Sequence, residues 1–382
     1  MSDLNRRVVL YITSAAIIVI IFSLFLGLNW TEVNQASERE FYVGVEYAYG
    51  GQVEEVKALV DKVRNYTNLF IMGSVDDNFK TNRSALDEAC DYIAGAKLHL
   101  IVLFTDSNQY NYSIFDWMTK AEQKYGNLFL GVYRYDEPGG NQIDTGPTSL
   151  IKSGTTYTEV AENYTNTIKT IFVDNYLKAA PRIFTADYGL YWFDYKANYS
   201  TVFVEYVGNE SRARHIALGR AAAETFAKDW GVIVTWKYEQ PPYIESGEEL
   251  YSDLALAYAC GAKYAVVFSY PQIGEYGILT EEHFEALEKF WHTRHNNPDS
   301  LGSSPANIAY VVPADYGFGF RRPNDTIWGL FPADELAEKI YTDIETLTNR
   351  YGAQLNIFYN EPQTEAILKN YTEVFYWNQT RP

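Results

Sequence analysis

The chain has 382 residues, long enough for one large domain with an appendage or for two ordinary domains. Hydrophobic residues make up 47% and aromatic residues 16%, which excludes a disordered polypeptide. A net charge of −18 argues against nucleic acid or anionic lipid headgroups as partners, because both need a positive face.

The first element is apolar. Residues 8–28, VVLYITSAAIIVIIFSLFLGL, run without a charge for 21 positions, enough to cross a bilayer as a helix. Arg6 and Arg7 precede the run and the first carboxylate after it is Glu32, so the positive-inside tendency leaves the N-terminus cytoplasmic and the rest of the chain outside. The run is longer than the usual apolar core of a signal peptide and lacks a small-x-small cleavage site. An uncleaved single-pass anchor (residues 1–28) is therefore expected over a cleaved signal, followed by a polar spacer (29–40).

From residue 41 the sequence alternates. Strand-like runs are FYVGVEY (41–47), NLFIMG (68–73), HLIVLFTD (99–106), NLFLGVYRYDE (127–137), RIFTADYG (182–189), TVFVEYVG (201–208), GVIVTWKYE (231–239) and YAVVFSYP (264–271). Between them lie helical patterns at 53–66, 84–94, 113–126, 157–177, 211–229 and 248–260, with another at 280–292 after the last strand. An aromatic connection with Trp192 and Phe193 joins the fifth strand to the sixth. The strand runs are short and rich in Val, Ile and Phe, as expected of strands buried on both faces. Eight such units in about 255 residues predict a closed (β/α)8 TIM barrel over 41–297. An open doubly wound sheet is the alternative, but the first turn reads EYAYGGQVEE and has no G-x-G-x-x-G phosphate loop. Asn296 to Pro305 reads as a linker. Beyond it a strand (307–313), a helix (334–350) and a strand (355–362) predict a small C-terminal β-α-β appendage within 305–382.

Ten N-x-S/T sequons begin at Asn29, Asn65, Asn82, Asn111, Asn163, Asn198, Asn209, Asn324, Asn370 and Asn378, against about three expected by chance at this composition. The excess points to a glycosylated, extracytoplasmic surface. Cys90 and Cys260 read as small buried residues rather than a disulfide. An exported, acidic, sequon-rich chain without a disulfide framework looks more archaeal than animal.

In a barrel, chemistry sits at the carboxyl ends of the strands. Those positions carry Glu46 (strand one), Asp136 and Glu137 (four), Asp187 (five), Glu205 (within six) and Glu239 (seven). Aromatic residues accompany them: Tyr135, Tyr188, Trp192, Trp236, Tyr238 and Tyr270. The set fits a carbohydrate, whose ring faces stack on aromatic planes while a protonated and an ionised carboxyl cleave the glycosidic bond. Glu137 and Glu239, on strands across the barrel, are the expected pair; the other carboxylates and the aromatics are expected to bind substrate. The competing reading of DEPGG (136–140) is a turn, with Pro138 setting φ and the glycines permitting positive φ. No cofactor is expected. Of the five His, His292 and His295 have helical spacing without a third ligand nearby, so no metal site is expected either.

This arrangement resembles the clan-A-type (β/α)8 glycoside hydrolases, which carry an Asn-Glu(-Pro) acid/base motif at the end of strand four and a nucleophilic Glu at the end of strand seven. Asp136-Glu137-Pro138 matches the first motif and Glu239 in VIVTWKYEQPP the second. The resemblance implies Glu137 as acid/base and Glu239 as nucleophile or base. It departs at Asp136, which stands where that clan has Asn; the extra charge should raise the pair's first pKa. A catalytically silent barrel that binds glycan, or that serves as a structural component of the cell envelope, is the alternative function.

Overall fold

In the computed structural model the described residues are 40–73 and 76–379. The expected membrane span lies outside them; among the described residues no helix is long and apolar enough to cross a membrane. The described residues from Phe41 onward form one compact unit.

Eight parallel strands close into a barrel in sequence order: β1 (Tyr42–Tyr47), β2 (Leu69–Met72), β3 (His99–Phe104), β4 (Phe129–Arg134), β5 (Ile183–Asp187), β6 (Thr201–Tyr206), β7 (Asp229–Val234) and β8 (Tyr264–Phe268). The ring is completed by β1 against β8, with Glu46 opposite Phe268. The intervening helices are α1 (Val53–Val63), α2 (Asp77–Thr81), α3 (Arg83–Gly95), α4 (Ile114–Tyr125), α5 (Pro138–Ile143), α6 (Tyr157–Ile168), α7 (Tyr191–Lys196), α8 (Arg212–Thr225) and α9 (Gly247–Ala259), with α10 (Glu281–Asn296) after β8. They start where local chemistry predicts: Ser113, Thr156, Ser211 and Ser246 each cap the N–H three residues on.

The barrel lumen is filled mainly by aromatic and branched side chains, among them Tyr42, Leu69, Ile71, Ile101, Phe184, Phe203, Ile233, Tyr264 and Val266. Phe184 stacks on Phe203 at 5.7 Å and Tyr42 on Tyr264 at 5.1 Å. Because side chains alternate along a strand, Glu46 shares a face with Tyr42 on β1, and Glu205 shares one with Phe203 on β6. Both acids therefore crown the lumen at its carboxyl end. Cys90 and Cys260 are buried, and neither is in a disulfide.

The C-terminal segment builds a three-stranded parallel sheet, ordered β10-β9-β11, from β9 (Ile308–Val312), β10 (Leu355–Tyr359) and β11 (Glu373–Tyr376), with α11 (Ala337–Tyr351) and α12 (Thr364–Leu368) between them. The reading from sequence anticipated β9, α11 and β10 but not β11, whose Glu373 is exposed and whose other residues are only half buried, a weak apolar signal. Strand ends also differ. The third to eighth ladders stop two to five residues before their expected ends. The chain turns out there, at Tyr135 (φ 58°) and Glu137 (φ 50°) after β4. The expected long helix from 157 gives up regular α geometry after Ile168. The aromatic connection around Trp192 is the short helix α7.

Helix α8 packs between the barrel and β10, and ten of its residues are buried. Arg220 ties these layers together: its guanidinium donates to Asn356 Oδ1 (2.9 Å) and to the carbonyls of Cys260, Ser304, Ala353 and Leu355 (3.3, 3.1, 2.6 and 3.1 Å). Arg220→Met would strand those buried acceptors, and a loss of about 3 kcal/mol or more in denaturant unfolding is expected.

Candidate active site

The peptide after β4 is the centre of the site. Tyr133 is the last buried aromatic of the strand; its hydroxyl donates to Asp136 Oδ1 and accepts from Ala186 N (2.9 Å). Glu137 then takes the left-handed conformation (φ 50°, ψ 50°) and serves as N-cap residue of α5. A non-glycine residue holds that conformation only where its surroundings fix it. They do so here. Glu137 N donates to Ala186 O at 3.1 Å, and Glu137 O accepts from Asn141 N (2.9 Å) and Nδ2 (2.8 Å).

Behind it Asp187 accepts four backbone N–H groups: Gly139 (2.5 Å), Gly140 (2.8 Å), Tyr188 (2.8 Å) and Gly189 (3.0 Å). Glycine is required at both first positions, since a Cβ on Gly139 would stand 2.4 Å from Gly189 O and one on Gly140 would stand 2.2 Å from the Tyr188 ring. Pro138-Gly139-Gly140 is thus the first turn of α5 rather than a reverse turn, with proline at the first helical position where no N–H is needed.

Two connected cavities open at the barrel mouth. The smaller, about 240 Å³, is lined by Glu46, Tyr133, Asp136, Glu137, Glu205, Trp236 and Tyr270, with five small or apolar neighbours. The larger, about 620 Å³, shares Glu46, Asp136, Phe268 and Tyr270 and extends over Thr105, Asp106, Gln109, Arg134, Tyr135 and Phe172. Arg134 is buried, donates to Asp106 Oδ1 (2.6 Å) and Phe104 O (3.2 Å), and lies over the rings of Phe172 and Tyr176. Trp236 and Tyr270 form an aromatic wall, stacked at 6.0 Å and 13°, with Trp236 Nε1 donating to Tyr270 O.

No lysine, arginine or histidine lines the smaller cavity, so its four carboxyls face one another and burial. Glu137 shares a hydrogen bond with Glu205. Burial first, then the charges of Asp136 and Asp187, push Glu137 up to about 8. Glu205, at the floor, is held well above the carboxylate range by burial and then by Glu137. Glu46 rises to about 8 through burial, with Asp136 adding to it. Burial raises Asp136 against the pull of the Tyr133 hydrogen bond, although its side chain is open to the cavity and solvent there tempers the effect. Burial lifts Asp187 to about 7 against the pull of its N–H donors. The arrangement is a proton-sharing acid pair with acidic neighbours, suited to keeping one carboxyl protonated while another ionises.

The structure thus gathers Glu46, Asp136, Glu137, Glu205, Trp236 and Tyr270 on the smaller cavity and Tyr135 on the larger. Asp187 supports the turn from behind. Tyr188 is beside it, its hydroxyl donating to Asp144 Oδ2 at 2.5 Å. Trp192 is buried away from both cavities, donating to Glu361 Oε1 (3.0 Å) and packing on Tyr359 and Phe226. Tyr238 and Glu239 are exposed and line neither cavity. After Val234 the chain folds back on itself, with Lys237 N and Tyr238 N both donating to Tyr243 O (2.7 and 2.8 Å), and this takes them off the strand. Arg134 and Phe172 were not singled out from sequence; the only signal for Arg134 is a cation ending an apolar run. Among the described residues no group of three or more His, Cys, Asp or Glu is placed to hold a metal ion.

No family model matches the chain, and no curated protein is similar to it in sequence. In three dimensions it is similar to an α-L-fucosidase isoenzyme from Paenibacillus thiaminolyticus (9% identity, TM-score 0.45, 83% of this chain and 57% of that one). It is similar also to a β-1,4-D-mannanase from Cryptopygus antarcticus (12%, 0.44, 69% and 93%) and an N-acetylneuraminate lyase from Fusobacterium nucleatum (10%, 0.36, 69% and 78%). The first two are glycoside hydrolases by name, and the chain spans 57% of the fucosidase's length. The barrel stands on its own strand pairing, and likenesses at this level carry no argument about activity.

Proposed function

We propose that this chain is a glycoside hydrolase tethered to the outer face of a membrane by residues 8–28, with Glu137 and Glu205 as its carboxyl pair. The observation that carries the reading is the hydrogen-bonded Glu137–Glu205 pair on the floor of an aromatic-walled cleft. Glu137, half exposed at the end of β4, is placed to protonate a leaving oxygen. Glu205, deep on β6, is placed to act from beneath as nucleophile or base. Trp236 and Tyr270 offer flat faces to a sugar ring. The larger cavity lies within the size range of ordinary ligand sites, about 300–1,000 Å³, and gives room for the rest of a glycan chain. Of the nine sequon asparagines described, eight are exposed, which fits an extracytoplasmic, glycosylated surface.

One observation favours the second reading, a silent glycan-binding barrel. Retaining glycosidases keep their carboxyls about 5 Å apart and inverting ones further, whereas Glu137 and Glu205 are in hydrogen-bond contact, so a sugar must part them. Turnover decides. The purified chain is expected to hydrolyse at least one member of a panel of aryl glycosides and oligosaccharides. Binding of glycans without hydrolysis would select the silent barrel, and neither binding nor hydrolysis would remove both readings.

A further inference from the structure

The C-terminal segment holds the catalytic turn from outside the barrel. The loop between β9 and α11 reaches α5 and the residues that end it. Buried Gln142 donates through Nε2 to Trp328 O (2.9 Å), and Thr145 Oγ1 donates to Gly329 O (2.9 Å). Thr326 Oγ1 donates to Ile143 O (3.3 Å), which satisfies a carbonyl at the helix end. Arg321 pairs with Asp144, and its guanidinium is itself fixed by buried Asp325 through two bonds of 2.9 Å. Trp328 is fully buried and anchors the loop against Tyr164 (5.4 Å) and Phe193 (4.5 Å). Asp144 also accepts the Tyr188 hydroxyl, so the grip reaches the residue next to Asp187.

α5 has only six residues, and Glu137 caps its other end. The left-handed Glu137 is therefore clamped from two sides: by Asp187 and Ala186 on the barrel side, and by the C-terminal loop through α5.

We infer that the C-terminal unit is a positioning element for the reaction, with Arg321 and its partner Asp144 as positioning residues that set the placement and the charge environment of Glu137. The inference rests on Glu137 being the acid of the proposed reaction. It gives the appended sheet a role that a barrel alone would lack: α5, too short to be stable by itself, is held in place by an element encoded about 180 residues later.

The groups facing Glu137 are Asp136 beside it, Asp187 and Tyr188 from the end of β5, Glu205 from β6, and Asp144 from the end of α5. Asp144 adds to the upward push on Glu137, and Arg321 is the cation that offsets Asp144.

The test uses the full chain on a substrate that it turns over and that has a poor leaving group. Arg321→Met exposes the charge of Asp144, so kcat is expected to fall about tenfold or more and the ascending limb of the pH profile to move to higher pH. Asp144→Asn removes that charge and should move the limb to lower pH. Arg321→Lys should restore the limb and most of kcat. Opposite displacements separate positioning from simple loss of stability, which would move neither limb, and Asp144→Asn serves if Arg321→Met does not fold. Unchanged kcat and unchanged limbs in both variants, beside an inactive Glu137→Gln, would overturn the inference while leaving the site reading intact. A fully active Glu137→Gln would remove the site reading and this inference with it.

Discussion

Glu205→Gln is expected to lower kcat by about three orders of magnitude, and Glu137→Gln by a similar factor on substrates with a poor leaving group. The two should part company on an activated substrate. A dinitrophenyl glycoside needs little protonation, so Glu137→Gln should recover most of its rate there, while Glu205→Gln should not. Glu239→Gln, exposed and outside both cavities, should stay within about twofold of the parent. The working form of the pair carries one proton. Glu137 is raised to about 8 and shares a hydrogen bond with the likewise raised Glu205, so the two titrate as one pair, and the form with a single shared proton accumulates as pH rises through about 8. The ascending limb of kcat/KM should therefore lie near pH 8, far above ordinary carboxylates. Full activity in both Gln variants would dismiss the pair. A large loss in Glu239→Gln instead would return the nucleophile to the loop after β7.

The second large effect is on stability. Glu46 is 4% exposed, and its carboxyl is raised from 4.5 to about 8, by burial first and then by Asp136. Its folded value lies above its unfolded one, so the native protein keeps a proton that the unfolded chain releases. Stability from this group is complete below the unfolded pKa and is lost as pH rises from about 4.5 through 8. Glu46→Gln removes the penalty while keeping the shape. Gly73, whose Cβ would lie 2.1 Å from Glu46 Oε1, leaves room for an amide of the same size. The variant should be more stable by about 3 kcal/mol at pH 7 and indistinguishable at pH 4, read from denaturant midpoints. An equal effect at both pH values would show that packing, not ionisation, is responsible.

The eight strands are legible because each is a short Val-, Ile- and Phe-rich run bounded by turn residues, and the period of two already turns Glu46 and Glu205 inward. Glu137 is legible as the acid that ends β4. Its partner is not, for a physical reason. WKYE continues the β-propensity of VIVT, and nothing local shows that the β7–β8 ladder ends at Val234 opposite Val267. The strand read on to Glu239 therefore offered a plausible pair, while Glu205, inside an apolar strand, read as a substrate contact. Which of two acids meets Glu137 depends on how far each strand climbs the barrel wall, a tertiary quantity. Trp192 shows the same limit. An aromatic in a loop near the mouth suits a sugar platform, but Glu361, Tyr359 and Phe226 claim it from the far side.

Helix α8, buried against the barrel on one side and β10 on the other, also bears on how the chain is made. A chain synthesised from its N-terminus presents the barrel strands long before Leu355–Tyr359 exist. Until then α8 has an uncovered apolar side, and Arg220 lacks the acceptors Leu355 O and Asn356 Oδ1 that β10 supplies. The packing around α8 is therefore complete only after residues 353–359 have emerged, well after the eighth barrel strand, rather than as soon as the barrel's own strands are made.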